Sequence, residues 1–144
     1  MHTKLDYGYE HDYKIRYGSL AKPTDLTLVL YDDSVDDIQP DGDIGDITTR
    51  PTGSAYADQS VDPSNYSLSF DAGRWNVLGP DTEFDVSDST RNVDSFGVAD
   101  TFQASGDSSA NQHLLLTGPL GDDVDLSARD STYTAREFGE RDPS

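Results

Sequence analysis

The sequence predicts an all-β fold, an antiparallel β-sandwich or jelly-roll-like barrel with an N-terminal arm and a short C-terminal tail. Three observations predict it. The run Leu26-Thr27-Leu28-Val29-Leu30-Tyr31 sets Leu26, Leu28 and Leu30 on one side, a period of two that a helix cannot reconcile. Short runs of the same kind recur along the chain between Gly, Pro, Asn and Asp turn signals. No window of about a dozen residues shows the roughly 3.6-residue period of an amphipathic helix. Composition divides the chain into an arm (residues 1–22), a β-domain (23–134) and a charged tail (135–144).

The arm holds four of the eight tyrosines, Tyr7, Tyr9, Tyr13 and Tyr17. Its bases Lys4, Lys14, Arg16 and Lys22 slightly outnumber its acids Asp6, Glu10 and Asp12. A mildly basic, aromatic segment on an acidic chain reads as a contact arm, because tyrosine buries apolar area while its hydroxyl keeps a polar partner. The candidate interface residues are the tyrosines Tyr7, Tyr9, Tyr13 and Tyr17 with Lys4, Lys14 and Arg16. The alternative is an edge strand whose tyrosines pack on the domain's own sheet.

Leu26 to Tyr31 is the first expected strand, and the acidic, glycine-punctuated stretch Asp32 to Asp46 is a loop. A second strand is expected over Ser54 to Val61. Asn65 to Phe70 should turn Tyr66, Leu68 and Phe70 inward, with Asn65, Ser67 and Ser69 outward. Trp75 to Leu78 follows an Asp71-Ala72-Gly73 turn, and Trp75, the lone tryptophan, is expected in the core rather than as a sugar-stacking platform. Thr82 to Val86 presents Phe84 and Val86 on one face, and Ser95 to Thr101 carries Phe96 and Val98. Three consecutive leucines within His113 to Thr117 suit a strand covered on both faces. Val124 and Leu126 alternate with Asp123 and Asp125. Pro40-Asp41-Gly42, Thr52-Gly53, Gly79-Pro80-Asp81, Gly118-Pro119 and Gly121-Asp122 mark turns. Ala104 to Asn111 reads as a hairpin tip, and Arg136 to Ser144 as a frayed tail or docking peptide.

At 144 residues the chain is read as one domain, and with 33% hydrophobic residues and a mean hydropathy of −0.68 it has a small core under a polar surface. A net charge of −18 repels the phosphate backbone and argues against nucleic acid as a partner. All of the 28 acidic residues but Glu10, Glu83, Glu137 and Glu140 are aspartate, and Lys4, Lys14 and Lys22 are the only lysines. Aspartate-rich, lysine-poor surfaces are those of proteins from extreme halophiles. Concentrated salt there screens self-repulsion, with a Debye length of about 3 Å at 1 M. Aspartate also serves turns by accepting from nearby backbone amides. With no cysteine, disulfides and thiolate metal sites are excluded. No apolar run approaches the roughly 20 residues of a membrane span, and the N-terminus lacks a signal peptide's apolar segment. Neither a membrane partner nor a leader is expected.

Few residues suggest chemistry. Asp41-Gly42-Asp43-Ile44-Gly45-Asp46 resembles the start of a calcium loop, so Asp41, Asp43 and Asp46 are candidate ligands for Ca2+, Mg2+ or bound salt cations. The pattern is incomplete, since Thr52 stands where a twelfth-position glutamate would be expected. A solvated acidic loop is the plainer reading. His2, His11 and His113 lack the further ligands of a zinc site. There is no Gly-x-Ser-x-Gly, and Ser108-Ser109 near His113 is a loop beside a strand. Pairs such as Asp32-Asp33 read as solvated surface, and Asn65-Tyr66-Ser67 is a weak glycosylation sequon. No catalytic residues are expected, and the chain is read as a non-enzyme.

Leu28-Val29-Leu30-Tyr31, then Arg50-Pro51-Thr52-Gly53-Ser54-Ala55-Tyr56-Ala57-Asp58-Gln59-Ser60-Val61, then Phe84-Asp85-Val86-Ser87 resemble small structural proteins of tailed viruses, nearest to those of haloarchaea. Ser95-Phe96-Gly97-Val98 and Leu114-Leu115-Leu116-Thr117-Gly118-Pro119-Leu120 look like the paired later strands of that group. The likeness spans Leu26 to Leu126, with Pro-x-Gly-x-x-Tyr-Ala its most telling segment, and leaves arm and tail outside. It implies a β-sandwich particle protein, usually oligomeric, on head or tail, without catalytic residues. The expectation is a capsid decoration, stabilising or vertex turret protein in a virion assembled in the host cytoplasm. Its expected partners are copies of itself and other virion proteins, the major capsid protein first. A tail fibre, spike or receptor-binding module is the first alternative, and a cell-surface carbohydrate-binding domain the second.

Overall fold

A computed structural model describes residues 2–128, 132–136 and 138–141. The element order is β1 (Thr3–Lys4), α1 (Asp6–Tyr17), β2 (Leu26–Tyr31), β3 (Gln59–Val61), β4 (Ser67–Asp71), β5 (Arg74–Leu78), β6 (Thr82–Asp85), β7 (Asn92–Phe102), β8 (Asn111–Asp125), β9 (Thr132–Ala135) and β10 (Gly139–Arg141). Single 3-10 turns lie at Ile44–Asp46, Pro63–Asn65 and Leu126–Ala128. All strand pairs are antiparallel, so the fold is all-β with one short helix. Five strands form a sheet in the order β1-β8-β7-β2-β3, three form β10-β5-β4, and β6 pairs with β9.

The alternation in β2 sorts its side chains as the sequence predicts. Leu28 and Leu30 join Phe96, Val98 and Leu116 in the main core, which Phe84, Tyr133 and Ala135 of the β6–β9 pair close together with Val86 and Phe138 just outside the strands. Val29 and Tyr31 face the other way, with Leu5, Ile47 and Leu114. Each fully buried Leu, Val or Phe among them contributes about 1.5–3 kcal/mol of transfer free energy. The three leucines of β8 are all buried because the strand bulges. Val98 pairs with Leu116 but Ala99 with Leu114, leaving Leu115 unmatched to pack on Phe102 and Ala104.

The segment Ser54 to Val61 is a strand only over Gln59–Val61. Beyond it Tyr56 takes over the edge of β2: its hydroxyl accepts from the Leu30 amide at 3.1 Å, donates to Asp58 at 2.6 Å, and its ring stacks on Phe84. The Pro-x-Gly turn ahead of it is anchored by Asp88, which accepts from the amides of Ser54 and Ala55 at 2.8 and 3.2 Å. Gly53 has φ +95°, and a Cβ there would sit 2.2 Å from the Asp88 carboxylate, so glycine is required. The Pro-x-Gly-x-x-Tyr-Ala segment is therefore a structural clamp.

Besides the turns expected at Gly118-Pro119 and Gly121-Asp122, which lie within the continuous strand β8, three expectations need correction. First, the stretch read as an arm or edge strand is mostly the helix Asp6–Tyr17. Its inward positions are Gly8 and His11, with Ile15 half-buried, and its outward ridge is Tyr9, Tyr13 and Tyr17. A helix with glycine and histidine inside and tyrosine outside carries no apolar period to detect. Second, Leu68, Phe70 and Trp75 are exposed, because the β4–β5 hairpin extends past the core; Tyr66 alone of that row packs inward. Third, the tail is anchored: Phe138 is 1% exposed and β10 pairs with β5. The remaining tail positions Glu137 and Asp142 to Ser144 lie outside the described residues.

Candidate functional site

The helix is held by polar contacts that the sequence does not announce. Asp6 opens its first turn and Lys14 and Arg16 its last, both favourable to the helix dipole. Leu5 provides no side-chain cap, and the Asp6 amide donates instead to the Pro40 carbonyl at 2.8 Å. His11 reaches Asp100 of β7 at 2.8 Å and lies edge-on to Phe102. Lys14 bonds the Gln103 carbonyl at 3.0 Å, and Glu10 accepts from the Ser105 amide at 2.7 Å. Lys4 on β1 is paired with Asp12 at 2.6 Å and with Glu140 of β10, so one ammonium ties the first strand, the helix and the last strand.

Beside the helix His113, 4% exposed, sits between two carboxylates: Nδ1 is 2.8 Å from Asp43 and Nε2 2.6 Å from Asp107. Tyr7 stacks on its ring at 4.1 Å. Burial pulls the His113 pKa down, but the bonds and charges of Asp107 and Asp43 outweigh it, and the net shift is upward. When protonated, the ring donates from both nitrogens, and with a carboxylate on each neither is free to act as a general base. It works as a clamp joining the acidic loop, the β7–β8 tip and β8.

The acidic loop is built from the same kind of bond. Asp43 accepts from the amides of Ile44 at 2.7 Å and Leu114 at 2.9 Å, besides His113, and Asp46 accepts from the Asp43 amide at 2.9 Å. Asp41 is exposed. The three candidate cation ligands are thus brought close in sequence but not converged on one point. Among the described residues no group of three or more His, Asp or Glu side chains is placed to hold a metal ion. Further along, Asp36 is 7% exposed and accepts four bonds, from the amides and hydroxyls of Thr48 and Thr49 at 2.5–2.9 Å. Burial favours its protonated form, yet those bonds hold its pKa below the ordinary value.

The candidate interface residues therefore divide. Tyr7, Lys4 and Lys14 are committed to internal contacts. Tyr9, Tyr13 and Tyr17 are 45%, 53% and 79% exposed along one ridge, with the Arg16 guanidinium 5.7 Å from the Tyr17 ring centre. Two further surfaces were not anticipated. A groove of about 570 Å3 runs between α1 and the three-stranded sheet, lined by Ile15, Leu26, Leu68, Val77, Leu115 and Leu116 among others. The second is the outer hairpin, where the exposed rings of Phe70 and Trp75 lie 5.4 Å apart. The signal in the sequence was the Asp71-Ala72-Gly73 turn, which marked the hairpin without showing that it projects.

No protein-family model, curated protein or solved structure matches the chain.

Proposed function

We propose that the chain is a virion structural protein of a haloarchaeal tailed virus, decorating or stabilising the capsid, as its resemblance to such proteins implies. The carrying observation is the tyrosine ridge. Tyr9, Tyr13 and Tyr17 stand outward on a helix whose opposite side is pinned to the sheet, so the aromatic surface is presented on a rigid support. Exposed tyrosines on a firm base, flanked by Arg16, suit docking on another acidic, salt-adapted protein surface. The major capsid protein and sister subunits are the partners this reading names. Repetition over a shell multiplies weak contacts through effective concentration.

Purified particles analysed by mass spectrometry and cryo-electron microscopy test the reading. Density for the chain in hundreds of copies on the head supports it. Absence from particles sinks it, and a handful of copies at the tail transfers the chain to the fibre or receptor-binding alternative.

A further inference from the structure

We propose that strand β4 pairs, antiparallel and about a two-fold axis through Ser69, with the β4 of a second copy of this chain. The inference uses a surface other than the tyrosine ridge and holds whether or not the chain belongs to a virion.

Among the described residues the three-stranded sheet ends on β4, and every residue of that strand is exposed. The register of the hairpin decides which backbone groups face out. Ala72 and Gly73 have φ +52° and +76°, the two-residue turn that makes Asp71–Arg74 the closing hydrogen-bonded pair. Ser69–Asn76 and Ser67–Leu78 are then also hydrogen-bonded pairs, while Phe70–Trp75 and Leu68–Val77 are not. The N–H and C=O groups of Leu68 and Phe70 therefore point away from β5, toward the open edge.

With Ser69 opposite the partner's Ser69, Leu68 meets the partner's Phe70 and Phe70 the partner's Leu68. Those are the residues whose backbone groups face outward, so both pairs can exchange two hydrogen bonds without mismatch. Slipping the register by one residue sets outward groups against inward ones. Slipping by two sets Leu68 against the turn residue Ala72, or Phe70 against Tyr66, whose amide already donates to the Pro63 carbonyl at 3.2 Å. The strand is thus compatible with its own copy in one register.

Side chains and charge agree with that partner. Leu68, Phe70 and Trp75 are 69%, 63% and 54% exposed on one face, and the pairing would join them to their copies in a continuous apolar stripe. The hairpin from 66 to 78 contains one acid, Asp71, and one base, Arg74, within a chain of net charge −18. It is a stretch across which two such molecules can approach without facing like charges, since Asp71 falls opposite the partner's Ser67. The strand also lacks the lysine, proline or bulge that commonly guards an exposed edge.

Cysteine scanning tests the pairing, because the chain has no cysteine and a single introduced thiol can cross-link only between copies. In this register Ser69→Cys places two Cα atoms about 4.5 Å apart, within disulfide range, while Ser67→Cys places them roughly 13 Å apart. Under mild oxidation in 3 M KCl, Ser69→Cys is expected to form covalent dimer at least tenfold faster than Ser67→Cys. Leu68→Pro, which removes an outward N–H without touching a β4–β5 bond, is expected to weaken dimerisation in sedimentation at least tenfold with the circular dichroism of the monomer unchanged. Equal cross-linking of the two cysteine variants overturns the proposal. So does a wild-type chain that stays monomeric up to millimolar concentration, or Trp75 fluorescence that responds to host glycans but not to protein concentration.

Discussion

A Cβ on Gly8 would lie 2.2 Å from the carbonyl oxygen of Leu115, so the helix meets the bulged strand backbone to backbone. Gly8→Ala must push α1 away from β8 and strain the contacts of His11 and Lys4. A loss of about 1–3 kcal/mol in chemical denaturation is expected. Gly45→Ala, where nothing lies within 4 Å, serves as the control and should change stability little. Equal effects at the two positions would disprove the close approach.

Asp36 collects four donors from Thr48 and Thr49. Removing the carboxylate in Asp36→Ala strands those donors at a buried site and should cost about 2–4 kcal/mol. Because its folded pKa is depressed, the ionised form contributes stability above the unfolded value of 3.8 that is lost as pH falls through the lower folded value. The gap between wild type and Asp36→Asn should therefore close in strong acid. Urea titrations from pH 7 down to pH 2 measure it.

His113 has the opposite sign. Its pKa is raised, so its contribution is complete below the unfolded value of 6.5 and disappears as pH rises through the folded value. Its partner Asp107 is depressed, chiefly by the His113 bond, and its share is lost only in acid. The stability advantage of wild type over His113→Gln should be largest between about pH 4 and 6.5 and shrink toward pH 9. An NMR titration placing the His113 midpoint below 6.5 would contradict the clamp.

Tyr9 and Tyr13 contact each other at 6.5 Å between ring centres but little of the core. The double variant Tyr9→Ser, Tyr13→Ser should keep a melting temperature within a few degrees of wild type and, under the proposed function, lose attachment to the particle or shell. A fall in monomer stability with attachment intact would return these tyrosines to a structural role.

A net charge of −18 on 15.7 kDa calls for screening. The Debye length falls from about 10 Å at 0.1 M to about 3 Å at 1 M salt, which removes most surface repulsion. The chain should unfold at a clearly higher temperature in 3 M than in 0.1 M KCl. Equal midpoints would refute the halophilic reading of the aspartates.

The strands were readable where one face meets the core and the period of two survives, as in β2 and around Phe84 and Phe96. The triple leucine of β8 signalled burial on both faces but not the bulge that produces it. The helix was invisible because His11 and Gly8 occupy its inner stripe, and a histidine satisfied by Asp100 looks polar in any sequence pattern. The clamp at His113 joins residues 70 and 6 positions away, and only the first of these contacts required the fold to be known. The exposure of Trp75 was missed for a different reason: alternation tells which residues share a face, not how far a hairpin overhangs its neighbours.

The bridge from Lys4 to Asp12 and Glu140 has a consequence for biosynthesis. β1 pairs with β8 near residue 117, and Phe138 fills the core from just before the last strand. A nascent chain therefore carries an unplugged interior until residues 138–141 have cleared the ribosome. Closing contacts of such sequence separation is slow, and the growing chain is open to wrong partners meanwhile. Its own negative charge, costly once folded, keeps neighbouring nascent copies apart during that interval.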